Sequence, residues 1–184
     1  MAGPNGCGKS TLTRTTWFGN VDVIDPDAIF RHLVSEYPGQ AAREALRRRW
    51  TALSAGRTHL VETTLSGSGI LRHMEAARRK GYQIVVHYIS LNTVEQALDR
   101  IRNRVLLGGH DIPETDARRR FVRSHANLPA AIVLADEVFL YDNVAPDRPH
   151  REIAICRQGS WLTVVDVPDW AATVIGEAMT PTKG

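Results

Sequence analysis

The chain has 184 residues, 43% of them hydrophobic, and a formal net charge of +3, which fits one soluble globular domain over residues 1–184. Its apolar runs are too short to span a membrane, and its two cysteines are too few for a disulfide scaffold but fit a reducing cytoplasm. The mild charge does not indicate a nucleic-acid partner, and the N-terminus shows no signal-peptide pattern, so we expect a cytoplasmic protein.

The chain opens with the phosphate-binding pattern G-x-x-x-x-G-K-[ST], formed by Gly3, Gly8, Lys9 and Ser10. Backbone N–H groups of such a loop point into one concavity, the lysine bridges the outer phosphates and the serine hydroxyl ligates Mg²⁺. Only three lysines occur against twenty arginines, so a lysine here fits a compact phosphate cradle, although a plain turn before a helix is the alternative. The predicted ATP-binding residues are Gly3, Pro4, Asn5, Gly6, Cys7, Gly8, Lys9, Ser10 and Thr11, with Ser10 as the metal ligand.

Cys7 lies inside this loop, beside backbone N–H groups and two residues from Lys9. Such surroundings favour a thiolate. We therefore expect alkylation of Cys7 to block ATP binding.

Helical and strand-like segments alternate after the loop. Strands are predicted at 21–24, 58–62, 82–91, 138–141, 152–156 and 161–167, and helices at 9–18, 26–37, 40–55, 70–80, 93–107, 114–135 and from 168 onward. This alternation predicts a three-layer α/β fold of the P-loop NTPase type, with a mainly parallel sheet flanked by helices. Residues 93–135, with two glycines at 108–109, suit a lid-like helical segment, although the glycines also fit a simple helix end.

A phosphate loop normally follows a central strand, yet only Met1 and Ala2 precede Gly3. The first strand is therefore expected to be truncated, which would leave unpaired backbone groups on its neighbours at about 1–3 kcal/mol each. A natural chain that begins several residues upstream would explain this, and the alternative is that another segment fills the slot.

The stretches GPNGCGKST, VIDPDAIF, HLVETTLSG, RNRVLLGGHDIPETDARRRFVRS and VFLYDN occur in the order seen in the zeta-toxin-like P-loop kinases. The chain resembles this family to about Asn143, and the matches point to a less characterised bacterial branch. The resemblance implies ATP and Mg²⁺ as cofactors. It also implies a small hydroxyl substrate, such as the sugar 3′-hydroxyl of UDP-N-acetylglucosamine, and an antitoxin protein as partner.

Acidic residues follow two predicted strands, at the edge where substrates bind in such sheets. The resemblance matches the family's catalytic aspartate to Asp27, which would accept or orient the proton of the attacking hydroxyl. Asp25 is expected to cap the next helix. Glu62, Thr63 and Thr64 match substrate-binding positions. The alternative for Asp27 is an acidic residue in the first turn of a helix, which stabilises the helix by about 0.3–1 kcal/mol through the helix dipole. The alternative for Glu62, Thr63 and Thr64 is a surface carboxylate followed by turn-forming threonines.

Phosphoryl transfer also needs positive charge over the moving phosphate. Three consecutive arginines cannot share one helix face, because successive residues turn by about 100°. Arg118 and Arg120 flank the predicted buried side of their helix, whereas Arg119 points away, and Arg104 borders the core side of the preceding helix. We predict catalytic roles for Arg104, Arg118 and Arg120, with solvated surface charge as the alternative.

The expected function is an ATP-dependent kinase that transfers the γ-phosphoryl group to a hydroxyl of a small substrate. One alternative is a P-loop ATPase that works as a switch without an acceptor. Another is a nucleic-acid-directed kinase or binding protein that uses the arginine run at 43–49, but no aromatic residues interleave with basic ones as such binding requires.

Overall fold

The computed structural model describes residues 1–16, 19, 21–32, 39–164 and 166–179. The helices are α1 Lys9–Thr15, α2 Pro26–His32, α3 Gln40–Ser54, α4 Ser68–Arg79, α5 Val94–Leu106, α6 Glu114–Leu134 and α7 Asp169–Met179. The strands are β1 Asp22–Ile24, β2 His59–Val61, β3 Val85–Ser90, β4 Glu137–Asp142, β5 Arg151–Arg157 and β6 Ser160–Val164. The predicted helix ends at Phe18 and Tyr37 lie outside the described residues.

The strands form two ladders that the first residues of the chain join. β1 pairs with β2, and β3 pairs with β4, both in parallel, while β5 and β6 continue the second ladder as antiparallel strands. Ala2 makes parallel bridges to Thr63 on one side and to Tyr88 on the other. The order across the sheet is therefore β1, β2, residues 1–2, β3, β4, β5 and β6. This confirms the predicted α/β fold with its parallel centre.

Met1 and Ala2 stand where the strand before the phosphate loop was expected. The Met1 ammonium donates to the Val61 carbonyl at 3.0 Å, and Ala2 N–H donates to the His87 carbonyl at 2.7 Å. Below these two residues, a largely apolar cavity of about 340 Å³ opens between β2 and β3. The slot of the first strand is thus occupied at its carboxyl end, beside the loop.

Helices cover both faces of the sheet, because its strands present apolar side chains on both sides. On one face, Tyr88 and Leu140 pack with Leu128 of α6 and Val174 of α7. On the other face, Ile89 packs with residues of the phosphate loop and of α1. Among the described residues, no helix is long and apolar enough to cross a membrane.

The helices α5 and α6 form the segment that was expected to resemble a lid. α5 begins with a capping box, in which the Thr93 hydroxyl accepts from Gln96 N–H and the Gln96 side chain accepts from Thr93 N–H. α6 continues through Pro129 as one helix. The two helices pack against each other through buried side chains, among them Leu98, Ile101 and Ala117.

Candidate active site

The phosphate loop requires glycine because its backbone lies against neighbouring groups. Gly3 has φ 139°, and a Cβ there would lie 2.0 Å from the Ile89 carbonyl oxygen. Gly8 has φ 99°, and a Cβ there would lie 2.5 Å from the Asn143 side-chain nitrogen. L-residues rarely adopt such φ values, so larger side chains would shift the loop.

Lys9 and Ser10 begin α1 and project toward the loop and the substrate side. Lys9 Nζ donates to the carbonyl oxygens of Gly3 and Pro4, at 2.8 Å each. Ser10 Oγ donates to Glu62 Oε2 at 2.8 Å. The ammonium and the hydroxyl that the motif assigns to phosphate and Mg²⁺ therefore lie on the inner side of the loop. The other predicted ATP-binding residues differ in their exposure to solvent. Asn5 is buried, whereas Thr11 is exposed.

Cys7 corrects the sequence-based expectation of a reactive thiolate. Its side chain is completely buried, beneath the loop near Gly3. Burial raises the pKa of the Cys7 thiol, and the nearby Lys9 ammonium opposes that rise only in part. Neighbouring N–H groups were not enough to predict reactivity, because desolvation of the thiolate dominates.

Asn143 and His150 support the loop from the side of β4, a role that the sequence did not assign. Asn143 Nδ2 donates to the Cys7 carbonyl at 2.8 Å, and its Oδ1 accepts from His150 N–H at 3.0 Å. His150 Nε2 lies 3.2 Å from the Gly8 carbonyl oxygen. From the sequence, the polar pair Asp142-Asn143 directly after an apolar strand predicts either a position near the nucleotide base or a simple turn, and not this contact with the loop.

Two buried carboxylates lie on the opposite side of the loop. Glu62 is 5% exposed and Asp25 is 8% exposed. Burial, followed by the charge of Glu62, raises the pKa of Asp25. Asp25 Oδ1 also accepts from Asp27 N–H at 2.9 Å, which confirms its expected helix-capping role. The sequence did not predict that Asp25 would also face Glu62.

Asp27 meets an arginine of the lid-like segment. Arg104 Nη1 lies 4.0 Å from Asp27 Oδ2, and Arg104 Nη2 donates to the His110 carbonyl at 2.6 Å. Gly109 lies directly against this arginine, since a Cβ there would be 2.6 Å from Arg104 Cγ. Asp27 and Arg104, predicted separately, therefore face each other across the site.

Arg118 and Arg120 engage acidic residues of α5 and α6. Arg118 pairs with Glu95 at 2.9 Å and with Glu114 at 2.8 Å, and Arg120 lies 3.7 Å from Asp116. In the described part of the chain, neither arginine forms an ion pair with Asp27 or Glu62. The exposed side-chain fractions are 43% for Arg118, 37% for Arg120 and 55% for Arg119, the order that the helix geometry predicts.

Thr63 and Thr64 follow Glu62 and shape the turn after β2. Thr63 N–H donates to the Met1 carbonyl at 3.0 Å, and its hydroxyl accepts from Leu65 N–H at 3.0 Å. The hydroxyls of Thr64 and Ser66 are 2.7 Å apart. Both threonines are half-buried beside the carboxylates.

The residues present suit a Mg²⁺ ion that arrives with a nucleotide. The described residues contain no cluster of three or more His, Cys, Asp or Glu side chains that could hold a metal. Mg²⁺ usually keeps several waters and binds through one or two protein groups together with substrate phosphates. Ser10 Oγ, which donates a hydrogen bond to Glu62 Oε2 at 2.8 Å, provides such a minimal set together with Glu62.

Comparison with solved structures finds chains of similar fold. A chain of the AvrRxo1-ORF1:AvrRxo1-ORF2 complex with sulphate ions matches at a TM-score of 0.67 and 15% identity, covering 98% of this chain and 64% of that one. The same complex with ATP matches at 0.66 and 16% identity, covering 100% of this chain and 64% of that one. The PezAT chromosomal toxin–antitoxin system of Streptococcus pneumoniae matches at 0.58 and 19% identity, covering 97% and 77%.

The phosphate loop and these likenesses define the class: the chain has a zeta-toxin-like P-loop fold. It spans 64% of the length of the matched AvrRxo1 chains. An uncharacterized protein of Haemophilus influenzae (strain ATCC 51907 / DSM 11121 / KW20 / Rd) is 35% identical over 123 residues, 65% of this chain and 88% of that protein. The chain belongs to the same family as this protein. No protein-family model matches the sequence.

Proposed function

We propose that the protein is an ATP-dependent kinase that transfers the γ-phosphoryl group to a hydroxyl of a small molecule. The observation that carries this proposal is the 2.8 Å hydrogen bond from Ser10 Oγ to the buried Glu62. It joins the phosphate loop directly to a carboxylate at the end of the neighbouring strand, where acceptors bind in such sheets. A structural neighbour that contains ATP supports the choice of nucleotide.

In this reaction, Lys9 and the loop N–H groups hold the outer phosphates of ATP. Ser10 and Glu62 would hold Mg²⁺, which would supply positive charge next to the β- and γ-phosphates. Phosphate oxygens replace the Gly3 and Pro4 carbonyls as acceptors for the Lys9 ammonium, which lies 2.8 Å from each.

The acceptor oxygen forms a bond to the γ-phosphorus while the bond from phosphorus to the bridging oxygen breaks and ADP leaves. Asp27 takes the hydroxyl proton, because its carboxylate follows β1 on the acceptor side of the loop and is 49% exposed, so that a bound molecule has access to it. Arg104, 4.0 Å from Asp27, would stabilise charge on the transferring phosphoryl group. In our proposal, Arg118 and Arg120 would join Arg104 when the lid-like segment 93–135 closes.

We further propose that the acceptor is a nucleotide sugar such as UDP-N-acetylglucosamine and that an antitoxin protein restrains the enzyme in the cytoplasm. The family resemblance supports the first point. A structural neighbour from a toxin–antitoxin system supports the second. Thr63 and Thr64, half-buried beside Glu62, would contact the acceptor.

The test is a transfer screen with γ-labelled ATP across UDP-sugars, nucleosides and short oligonucleotides. The wild-type protein is expected to label a UDP-sugar. Asp27→Asn should keep ATP binding and lose transfer, whereas Asp22→Asn, an exposed aspartate paired with Arg57 at the surface, should transfer normally. Label released as inorganic phosphate at a rate that no acceptor changes would indicate a nucleotide switch, and labelled oligonucleotides would indicate a nucleic-acid kinase.

A further inference from the structure

The phosphate loop divides its surroundings into two sides. Glu62 and Asp27 lie on the side of β1 and β2, because residues 1–2 pair with Thr63 there. On the other side, the segment from Asp142 to Arg151 lies against the loop through the Asn143 and His150 contacts. If the acceptor occupies the first side, the base of a nucleotide whose phosphates fill the loop lies on the second.

An open cleft is present on that second side, at the carboxyl ends of β3 and β4. It lies between Asn92, which precedes α5, and the connection from β4 to β5. Its walls include Val144, Arg148 and Asp142. Val144 offers an apolar surface, and Arg148 is exposed and carries a planar guanidinium of the kind that stacks on aromatic rings.

Asp142 is the unexplained polar group in this cleft. The residue is 8% exposed and its side chain 10% exposed, yet its Oδ1 atom is buried with no hydrogen-bond partner among the described residues. Within the part of the chain that the structure describes, only Oδ2 has a partner, Arg151 Nη2 at 3.3 Å. An ionised carboxylate is an acceptor only, so Oδ1 can be satisfied by a donor from a ligand and not by another acceptor.

We propose that Asp142 selects the adenine base by accepting a hydrogen bond from its exocyclic amino group, with the ring lying in the cleft against Val144 and Arg148. This rests on the proposed function, because it requires a nucleotide in the phosphate loop. Adenine carries an amino donor at C6, whereas guanine and hypoxanthine present a carbonyl acceptor there. A carboxylate oxygen facing that carbonyl would leave two acceptors opposed in a buried place.

The test measures equilibrium binding of ATP, GTP, ITP and purine riboside triphosphate to the full chain. Purine riboside triphosphate has neither the amino group nor the carbonyl at C6. It therefore separates the loss of the amino donor of adenine from the repulsion between the Asp142 carboxylate and the carbonyl of guanine or hypoxanthine. ATP should bind about 10- to 100-fold more tightly than GTP or ITP, with purine riboside triphosphate in between, as expected for one hydrogen bond to a charged group.

Asp142→Asn preserves the size of the side chain and adds an N–H₂ donor, so the preference for ATP over GTP should fall to within about threefold or reverse. Arg151→Gln removes the ion pair but leaves Oδ1 in place, and it should keep the preference. Asp166→Asn is the matched control, since Asp166 is the other carboxylate that pairs with Arg151, at 3.4 Å, and its side chain is 89% exposed. Thermal unfolding of each variant reports whether it remains folded.

The outcomes separate this proposal from the kinase itself. If the wild type binds all four nucleotides equally, or if folded Asp142→Asn retains the wild-type preference, the role of Asp142 is overturned while the kinase stands. If no nucleoside triphosphate binds, the proposed function fails, and the base preference fails with it.

Discussion

The phosphate loop and the arginine-bearing helices α5 and α6 present their charged groups in opposite ways. In the loop, Lys9 is held by two backbone carbonyls, and the serine beside it contacts a buried glutamate. On the helices, Arg118 is 43% exposed and already pairs with Glu95 and Glu114 at the surface. A group held by backbone in a buried loop has its position set by the fold, whereas a surface arginine in solvent-exposed ion pairs exchanges its acidic partners easily.

The difference predicts where substitutions have their largest effect. Lys9→Ala should reduce ATP affinity by at least about a hundredfold, because it removes the charge aimed at the phosphates, and should leave the fold intact. Isothermal titration with Mg-ATP measures the loss. Lys80→Ala, at the exposed end of α4, is the control and should bind normally. Normal phosphate transfer by Lys9→Ala would rule out a phosphate-binding role for the loop.

The arginines provide the second test, because they can be ranked by position. Arg104→Ala should lower turnover about 10- to 100-fold, since this side chain lies 4.0 Å from Asp27. Arg118→Ala and Arg120→Ala should each lower turnover less than that but more than Arg119→Ala, whose side chain is 55% exposed. Steady-state turnover at saturating ATP gives the ranking. Equal losses at positions 118, 119 and 120 would contradict the helix-face argument.

The same contrast explains what could be read from the sequence. The phosphate loop was predictable because four residues in fixed spacing define its motif. The strands and helices were predictable because their hydrophobic patterns alternate along the chain. The contact of Ser10 with Glu62 was not, because 52 residues separate them and only the strand order brings them together. Asp25 was predicted only as a helix cap for the same reason, because Glu62, which faces it, comes from a distant segment.

The N-terminus was the hardest element to predict, because two residues do not carry a strand pattern. Met1 and Ala2 nevertheless hydrogen bond to both β2 and β3, since the parallel strands leave a gap of the right width. The ion-pair partners of the arginines could not be predicted from the sequence either. Helix periodicity ranks their exposure, but acidic partners such as Glu95, 23 residues from Arg118, determine where they point.

The buried N-terminus gives a pH-dependent prediction of intermediate size. Burial lowers the pKa of the Met1 ammonium from 8.0 to about 6, with Lys9 lowering it further and Glu62 opposing the change. Between these values the unfolded chain holds a proton that the folded chain has released. Through this group, stability should therefore rise by about 2 kcal/mol from pH 6 to pH 8. Urea unfolding at several pH values measures this. His73 and His87, whose pKa values burial lowers from 6.5 to about 4, also raise stability as the pH rises through this range to about pH 7, so they overlap the lower part of the window.

A chain extended by about six apolar, β-favouring residues before Met1 is the matched comparison. The extension removes the ammonium from the buried position and can fill the cavity of about 340 Å³ between β2 and β3. Each buried Val or Ile should add about 1.5–3 kcal/mol. The rise in stability between pH 6 and pH 8 should shrink by the part that the Met1 ammonium contributes, and the part from His73 and His87 should remain. Tighter ATP binding is also expected, because the loop is held more firmly. An extended chain of unchanged stability would contradict the interpretation of this cavity as a strand slot.

The smallest expected effect is on the reactivity of Cys7, because a thiol buried beneath the phosphate loop should react far more slowly than one at the surface. Its thiol is completely buried, and burial raises its pKa, so little thiolate is present at neutral pH and no reagent can reach the sulfur. Iodoacetamide at pH 7.5 should leave Cys7 of the folded protein unmodified over a period in which the urea-unfolded chain reacts completely. ATP binding should be unchanged after the treatment.

Mass spectrometry of tryptic peptides distinguishes Cys7 from Cys156, which is also buried. Rapid modification of Cys7 in the folded protein, prevented by bound ATP, would restore the reactive thiolate that the loop sequence suggested and would show that the loop opens readily.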